Sequence, residues 1–329
     1  MNIKLLIGVL TLSVYTFGQQ LPQYSQFQRN QIMSNPGAAG SYDFLDITLG
    51  GRYQWAGFDD SPKTGYLYAS SVVNKPKVRY NPSLRTSNGP FANPKVSTGR
   101  VKHAVGGEVY MDEYGAFRKL SFSGIYAVHI PVTKKTNLSL GTKIGITSNN
   151  FIANRAVVLS NMEDYTGTPI TDDVYAQFVQ NQSSLNFLNI GLGLYYYSDQ
   201  FFVGVSVDQL SKDFVRFGSG TANFDPNMHG QVIAGYKFPI SDNLTLMPSF
   251  IGKYMKPAPF SFDVNLQLEY KEWLWFMGGY RNSNDIIVGL GANISQRFKL
   301  GYSYDFTVSK IGKYSSGSHE VVLGLMLGR

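Results

Sequence analysis

The sequence predicts an all-β protein, folded as a single closed antiparallel transmembrane β-barrel of about 14 strands (range roughly 12–16). Three observations lead to this prediction. Apolar and polar residues alternate along most of the chain, which is the pattern of strands with one apolar face. The alternating segments are long enough to cross a bilayer when tilted. The N-terminus has the form of an export signal.

The export signal is predicted at residues 1–18. Lys4 supplies a positive charge, an uncharged apolar run follows, and the small residue Gly18 precedes the expected cleavage site before Gln19. The apolar run has about 13 residues, fewer than the ~20 that a transmembrane helix needs. We therefore expect an exported chain; a buried N-terminal helix or strand is the alternative.

The composition is compatible with a sheet in lipid. Aromatic residues make up 14% and charged residues only 16% of the chain, against a usual charged share of ~25%. A secreted β-sandwich would fit the same numbers. The net charge of +7 does not indicate a nucleic-acid partner, because no basic run is interleaved with aromatic residues. Since the chain has no cysteine, its stability cannot come from disulfides.

Residues 260–270 give the clearest alternation, with apolar residues from Phe260 to Tyr270 facing one side and charged or amide residues facing the other. Most such segments are longer than the five or six residues usual in soluble sheets. Alternating segments lie at 43–56, 63–73, 101–111, 118–130, 137–148, 185–197, 201–209, 229–238, 243–254, 259–270, 272–281, 285–294, 297–306 and 317–327. Aromatic residues near segment ends are expected to form interfacial girdles: Tyr53, Trp55, Tyr195 to Tyr197, Trp273, Trp275, Tyr302 and Tyr304.

This strand set predicts three parts of the chain: a signal peptide at 1–18, an N-terminal periplasmic or lumenal segment at 19–42, and the barrel at 43–329. The polar faces would carry charges of both signs into the lumen. A salt-bridged interior is favoured over an ion pathway, because unpaired buried charges are costly. The inward-facing charged residues are Asp46, Arg52, Lys143, Asp208, Lys237, Lys253, Asp263, Glu269, Arg281, Lys299, Asp305 and Glu320.

The connections set a sidedness. With a periplasmic N-terminus, the short connections, such as 131–136 and 239–242, face the periplasm, and the long ones, 149–184, 210–228 and 307–316, face outward. Residues 74–100 are the exception, a long connection on the periplasmic side. This basic connection has no acidic residue, so it is either a solvated linker, a surface for an acidic partner, or a plug in the lumen. Its basic residues are Lys75, Lys77, Arg79, Arg85, Lys95 and Arg100.

No pattern in the sequence indicates chemistry. The four histidines, at 103, 129, 229 and 319, lack a metal-ligand spacing, and no nucleophile elbow, phosphate loop or dinucleotide motif occurs. We expect no catalytic residue, no metal and no cofactor, and so no enzyme. A barrel phospholipase, which would need Ser and His together on the outer wall, is a minor alternative.

Motifs near the predicted mature N-terminus resemble a known family. The chain has Gln23-Tyr-Ser-Gln-Phe, then Asn35-Pro-Gly-Ala-Ala-Gly, then Arg52-Tyr-Gln-Trp-Ala-Gly-Phe with Pro62 and Thr64. These strings, followed in order by shorter ones to Ser318-His-Glu, resemble the PorP/SprF family of type IX secretion membrane proteins. Gly37 stands where that family usually has alanine. The interaction candidates that the motifs suggest are Asn35, Pro36, Gly40, Arg52, Gln54, Trp55, Gly57, Phe58, Pro62, Lys63 and Thr64.

The resemblance implies an outer-membrane component of the secretion and gliding machinery of Bacteroidetes, one that supports secretion or surface attachment of cargo such as adhesins. The partners it implies are outer-membrane lipid, a cargo protein with a matching C-terminal domain, and other secretion components, with no nucleic acid. A channel for small or hydrophobic solutes is the alternative. A channel should have an open lumen or an apolar pocket, and a secretion partner a closed lumen and a shaped end surface.

Overall fold

In the computed structural model the described residues are 22–73, 98–152, 155, 184–211, 216–217, 227–255, 258–271, 273–295 and 297–327. Within them, antiparallel strands form one closed barrel, as predicted. The strands are β1 Leu45–Tyr53, β2 Lys63–Val72, β3 Lys102–Tyr114, β4 Phe117–Thr133, β5 Thr136–Phe151, β6 Ser184–Ser198, β7 Phe201–Asp208, β8 Arg216–Phe217, β9 His229–Tyr236, β10 Phe238–Ser241, β11 Leu244–Met255, β12 Ser261–Tyr270, β13 Leu274–Arg281, β14 Asp285–Asn293, β15 Phe298–Thr307 and β16 Ser318–Leu327.

The barrel closes where the first strand pairs with the last. Leu45 lies opposite Leu327, and Tyr53 lies opposite His319. Between β7 and β11 the wall is completed by β9, which pairs with both, and β10 continues β9 along β11. The two-residue β8 pairs only with β6. The described part of the wall therefore has fourteen strands, one for each predicted alternating segment.

The predicted facing of the side chains is confirmed. Leu266 is 50% exposed on the outer face of β12, and Asp263 of the same strand is fully buried inside the barrel. Leu300 is likewise exposed on β15, and Lys299 beside it reaches Asp46 in the lumen. Because successive residues of a strand point to opposite faces, the register of one residue determines the facing of the whole strand.

We expect Leu266→Arg to lower the free energy of unfolding by roughly 2–4 kcal/mol, because a charge near the bilayer midplane loses its hydration. Tyr270→Arg is the matched control. It lies on the same face of β12 at the strand end, where the same charge costs ~0–1 kcal/mol. Urea unfolding in lipid vesicles measures both. Equal losses at the two positions would contradict a transmembrane placement of β12.

The two ends of the barrel differ. At the end where β1 begins and β16 finishes, here called the entry end, the strands are joined by turns at 134–135, 199–200, 242–243, 271–273 and 294–297. The opposite end, the loop end, has the long connections 54–62 and 308–317 and the short turns 115–116 and 282–284. The strand ends that 152–183 and 209–228 join also lie there. The expected turn at 131–136 is narrower than predicted, because β4 continues through Pro131 with a register irregularity. The end of β2 and the start of β3, which residues 73–101 join, lie at the entry end.

The girdle prediction is wrong for three aromatic residues. Tyr195, Tyr197 and Trp275 point into the lumen and are 3%, 1% and 2% exposed. Their neighbour Trp273 is 42% exposed and does lie on the outer surface at the entry end. Nearness to a strand end does not determine the face, since adjacent residues alternate.

Residues 22–44, here called the lumenal segment, run through the inside of the barrel. They contain three short helices, Phe27–Arg29, Gln31–Ser34 and Pro36–Ala38. Phe27, Ile32 and Met33 are buried against inward-facing wall residues. Ser25 contacts wall residues close to the loop end, and the segment reaches the entry end before β1 begins. The predicted signal peptide lies outside the described residues.

Among the helices that the structure describes, none has the length and apolar character of a membrane span.

Candidate functional site

The lumenal segment is held near the loop end by a cluster of buried charges, here called the arginine cluster. Arg281 donates to both Asp263 oxygens at 3.0 and 3.1 Å and to Asp305 at 2.7 Å. Arg52 donates to the same Asp305 at 2.7 Å and lies 3.6 Å from Glu320. All five side chains are almost fully buried. The cluster ties β1, β12, β13, β15 and β16 together inside the barrel.

Ser25 occupies the centre of the arginine cluster. Its hydroxyl donates to Asp305 at 2.8 Å and accepts from Arg52 at 2.7 Å. Its backbone N–H donates to Glu320 at 2.6 Å, and its carbonyl accepts from Asn265 at 3.1 Å. Charge-assisted hydrogen bonds of this kind are the stronger class. The lumenal segment is thus part of the interior charge network and not a passive filler.

The neighbouring Tyr24 packs edge-on against Tyr66 at a centroid distance of 4.9 Å. Burial is the main cause that raises the pKa of the Tyr24 phenol well above its ordinary value, so the hydroxyl stays protonated.

Asn35 is fitted to a gap in the wall left by two glycines. Its side-chain amide donates to the carbonyls of Leu194 at 3.0 Å and Val205 at 3.3 Å, on the adjacent strands β6 and β7. A Cβ at Gly193 would lie 2.1 Å from Asn35 Oδ1, and one at Gly204 would lie 2.5 Å from Nδ2. The amide therefore occupies space that only glycine leaves free.

The next two residues of the motif rest on a third wall glycine. A Cβ at Gly141 of β5 would lie 2.3 Å from the backbone nitrogen of Gly37 and 2.4 Å from the carbonyl carbon of Pro36. Asn35 Oδ1 also accepts from the Gly37 N–H at 2.8 Å, which shapes the turn. Motif and wall are thus complementary. The sequence alone did not indicate this pairing.

Near the entry end the segment is held through its backbone. Lys102 Nζ donates to the carbonyls of Gly40 and Ser41, both at 3.0 Å. His129 Nε2 lies 2.8 Å from the carbonyl of Ala39, which can only accept, so that nitrogen carries the proton and Nδ1 accepts from Tyr197. Gly40 has φ +74°, and a Cβ there would lie 2.1 Å from the Ala104 side chain.

Two further inward-facing lysines are paired as expected. Lys143 lies between Glu108 at 2.9 Å and Asp208 at 3.0 Å. Lys299 pairs with Asp46 at 3.1 Å. Burying these charges is tolerable because each has a partner of opposite sign. Most of the predicted inward-facing charges are thus paired. Lys237 and Lys253 are the exceptions: no ion pair is found for them among the described residues, although Lys253 is buried.

At the loop end, the β1–β2 hairpin at 54–62 and the β15–β16 loop at 308–317 form one surface, here called the loop-end platform. Ala56 donates to Gly317 at 2.8 Å and accepts from Ser316 at 2.7 Å. The Trp55 N–H donates to Ser318 Oγ at 3.1 Å. Trp55 has a positive φ of 52°. Backbone in that region is held only where its surroundings over-determine it, so the platform is a defined shape.

The remaining candidates divide between the two surfaces. Arg52 faces the lumen, and Thr64 donates to Asp112 at 2.5 Å on the inner face. On the platform, Phe58 is exposed, and Gln54 donates to Pro62 at 2.9 Å. Gly57 adopts φ +103° in the same hairpin. Lys63 is exposed on the outer surface, with its Nζ 5.4 Å from the Tyr53 ring centroid.

Of the basic connection, only its end is described. Arg100 forms an ion pair with Asp43 at 2.7 Å, near the C-terminal end of the lumenal segment. Asp43 therefore supplies an acidic partner from outside the connection. Lys75, Lys77, Arg79, Arg85 and Lys95 lie outside the described residues. Within the described residues, no group of His, Asp or Glu side chains is arranged to hold a metal ion.

A cavity of about 110 Å³ lies beneath the lumenal segment at the entry end. Its lining includes Tyr42 of the segment, the β6–β7 turn with Asp199, and the inner residues Met247, Gln267 and Met326. Tyr195 and Tyr197, the aromatic residues that were expected on the outer surface, also line it. Because the sequence placed these two rings on the outer surface, it did not indicate that they line a cavity.

The fold and the filled lumen define this protein as an outer-membrane β-barrel whose interior is occupied by its own N-terminal segment. The chain belongs to the family described as type IX secretion system membrane protein PorP/SprF, whose model matches residues 16–325. It is therefore a protein of the bacterial outer membrane. A comparison with curated protein sequences gave no match.

Solved barrels have the same general architecture. The P. putida toluene transporter TodX is 10% identical, covers 90% of this chain and 93% of its own, and has a TM-score of 0.48. Omp33 of Acinetobacter baumannii is 9% identical, with coverage of 88% and 100% and a TM-score of 0.43. The NalP translocator domain of Neisseria meningitidis is 11% identical, with coverage of 92% and 95% and a TM-score of 0.42. At these identities the likeness is one of fold alone.

Proposed function

We propose that this protein is a sealed, non-enzymatic component of the type IX secretion machinery that supports secretion or surface attachment of particular cargo. One observation carries the proposal: the lumenal segment fills the barrel and is bonded to its wall from Ser25 to Ser41. Because the lumen is occupied, partner proteins would bind at the two end surfaces of the barrel. It also counts against the alternative of a solute channel, because the lumenal segment lies in the path that a solute would take through the barrel.

We assign the entry end to the periplasm and the loop end to the cell surface. Outer-membrane barrels have short periplasmic turns and longer outer loops. The described entry-end turns are all short, and the longer described connections 54–62 and 308–317 lie at the loop end, together with the short turns 115–116 and 282–284. The loop-end platform would then meet cargo on the cell surface. The cargo class, an adhesin-like protein with a matching C-terminal domain, comes from the family; a role in gliding would follow from the cargo.

The platform has exposed aromatic residues suited to such contacts. Tyr314 is 76% exposed and Phe58 is 38% exposed, and aromatic residues commonly anchor protein interfaces. Because the two segments are hydrogen-bonded to each other, a partner would bind a surface that is already ordered. Binding to an ordered surface avoids the entropic cost of fixing a flexible loop.

We expect Phe58→Ser combined with Tyr314→Ser to reduce cargo attachment at least tenfold, the loss of one hot-spot pair of about 2 kcal/mol or more. Surface immunolabelling of the cargo in cells measures this. The matched control is Met228→Ser with Phe260→Ser, which removes exposed apolar side chains at the loop end on the opposite side of the ring. Normal cargo display by the platform variant, or an equal loss in the control, would reject the platform as the docking surface.

We further propose that the basic connection meets an acidic periplasmic component of the machinery. Its charges would attract such a partner over about a Debye length, ~8 Å at physiological salt. Lys75, Lys77, Arg79 and Arg85 changed together to glutamate should abolish cargo secretion and leave the barrel folded, as judged by heat-dependent gel mobility. The control changes Lys134 and Lys135 of a neighbouring entry-end turn to glutamate. Normal secretion from the fourfold variant would leave the connection as a solvated linker.

The side on which the basic connection lies can be tested separately. A cysteine at Ser87 in this cysteine-free chain should react with a membrane-impermeant maleimide only after the outer membrane is permeabilised. Labelling in intact cells would place the connection outside and reverse the assignment of both ends.

A further inference from the structure

A row of polar and aromatic side chains crosses the outer surface of six strands at the loop end. Each member lies directly opposite the next across the sheet, from β15 to β4. Neighbours of these residues along the strands, such as Glu320 and Arg52, are buried in the lumen, so the row itself faces outward. The row, here called the outer polar row, consists of Tyr304, His319, Tyr53, Lys63, Glu113 and Arg118. It lies where the strands meet the loop-end connections, at the level of the lipid head groups.

Lys63 has a positive charge with no carboxylate partner among the described residues. Its side chain is exposed, and its Nζ lies 5.4 Å from the centroid of the Tyr53 ring. Glu113, opposite Lys63 on β3, is instead paired with Arg118 at 2.5 Å and with Arg155 at 3.0 Å. The Lys63 ammonium can therefore pair with an anion that comes from outside the barrel.

His319 supplies a second donor on the same surface. Its Nδ1 lies 2.8 Å from the Tyr302 hydroxyl, and its ring packs edge-on against Tyr304 at a centroid distance of 5.0 Å. When the Tyr302 hydroxyl donates to Nδ1, Nε2 carries the proton and has no partner among the described residues. Only Tyr53 separates His319 from Lys63 along the row, a span of ~10 Å between strands. Because the Lys63 ammonium lies over the Tyr53 ring, both donors can reach one phosphate group above that ring.

On the side of the row toward the bilayer midplane, the outer surface has a shallow depression. Gly51 and Gly65 lie opposite each other on β1 and β2, and a Cβ at either position would have no atom within 4 Å. Val321 and Met111, next to them on β16 and β3, are 43% and 41% exposed and stand on its two sides. An acyl chain can lie closer to the backbone here than over neighbouring side chains, and so gains van der Waals contact.

We propose that this surface binds one molecule of lipid A, the phosphorylated glycolipid that forms the outer leaflet of bacterial outer membranes. Its phosphate would lie at Lys63 and His319, and one acyl chain would lie along Gly51 and Gly65. The donors are at head-group level and the depression is below them, which is the order of phosphate and acyl chain in a lipid. That this leaflet is the outer one rests on the proposed sidedness of the barrel.

Binding can be measured by native mass spectrometry of the purified full-length barrel in detergent, without any secretion assay. Monophosphorylated lipid A should bind saturably, with one molecule per barrel. It should bind ~5-fold more tightly than the same lipid without its phosphate, the usual effect of one basic residue near an anionic lipid. Lys63→Gln should bind the two forms equally, and Lys63→Arg should keep the preference for the phosphorylated form.

The acyl-chain contact is tested by filling the depression. Gly51→Leu with Gly65→Leu should weaken binding of both lipid forms at least fivefold. Gly278→Leu is the matched control, because a Cβ at Gly278 also has no atom within 4 Å. Tyr280, two residues further along the same strand, lies between apolar residues of β12 and β14, so no cation is beside it in the sheet. The control should bind as the wild type does, and heat-dependent gel mobility shows whether each variant is folded.

Equal binding of the two lipid A forms by the wild type, or an unchanged preference in Lys63→Gln, would overturn the site. An equal loss in Gly278→Leu would overturn the acyl-chain placement. If phosphatidylglycerol bound as tightly as lipid A, the assignment to lipid A would be overturned. These measurements do not depend on cargo, so they can fail while the loop-end platform still docks cargo. A reversed labelling result at Ser87 would overturn the sidedness while the preference for phosphate remained.

Discussion

Replacement of Arg281 by alanine is expected to lower the free energy of unfolding of the barrel by about 3–5 kcal/mol, the usual cost of removing one partner from a buried ion pair. Arg281 is fully buried and contacts two fully buried carboxylates, Asp263 at 3.0 Å and Asp305 at 2.7 Å. Asp305 keeps Arg52 as a partner, but Asp263 loses the only cation within ion-pair distance among the described residues. The loss arises from this uncompensated charge more than from the missing contacts.

Urea unfolding of the purified barrel in detergent or vesicles measures the effect. Lys135→Ala, at an exposed entry-end turn, is the control and should change stability by less than ~0.5 kcal/mol. Arg281→Met with Asp263→Asn removes the pair together and should be more stable than Arg281→Ala. If the double variant were the less stable of the two, lost packing and not unpaired charge would explain the effect.

Replacement of Gly141 by valine is expected to displace the Asn35-Pro36-Gly37 turn and open the barrel to ions. The new Cβ would lie 2.3 Å from one backbone atom of the lumenal segment and 2.4 Å from another. Backbone atoms cannot move aside as a flexible side chain can, so the segment must leave its place on the wall. Valine is well accepted in strands, and the wall itself should keep its fold.

Conductance in planar bilayers tests this prediction. The wild-type barrel should show no stable channels, and Gly141→Val should show stepwise ion conductance. Gly65→Val is the matched control, because a Cβ at Gly65 has no atom within 4 Å; it should behave as wild type. If bilayers with Gly141→Val showed no more conductance than bilayers with the wild type, the lumenal segment would have shifted and would still seal the lumen. Stable channels in the wild type would instead support the solute-channel alternative.

The two experiments separate the two attachments of the lumenal segment. The arginine cluster joins strands to one another as well as to Ser25, so its loss should appear mainly as stability. The glycine contacts join only the segment to the wall, so their loss should appear mainly as conductance. Gly141→Val with unchanged conductance but large destabilisation would show that sealing and folding cannot be separated.

Much of the wall could be predicted because its pattern is local. Within each strand, the alternation of apolar and polar residues indicates which side chains face lipid and which face the lumen. On β12, for example, Leu266 faces lipid and Asp263 faces the lumen. Lipid tolerates few charges, so the outward face must be apolar at every second residue. That requirement acts on each strand separately, and it is visible without knowing any neighbour.

The predicted face was wrong for aromatic residues whose position in the inward and outward alternation of the strand was not considered. Tyr195 and Tyr197 flank Tyr196, and all three are aromatic, so alternation is not visible there and the two buried rings could not be distinguished from girdle residues. The cavity that they line was missed for the same reason.

The sequence by itself determined the strand count, the facing of most side chains and the charged lining of the lumen, because these follow from alternation at period two. It left the position of residues 19–42 open between periplasm and lumen. Only the tertiary structure placed Ser25 among Arg52, Arg281 and Asp305, and set Asn35 against Gly193. These contacts join residues up to 280 positions apart. No local pattern encodes them, since what fills a barrel depends on the shape left after all its strands have closed.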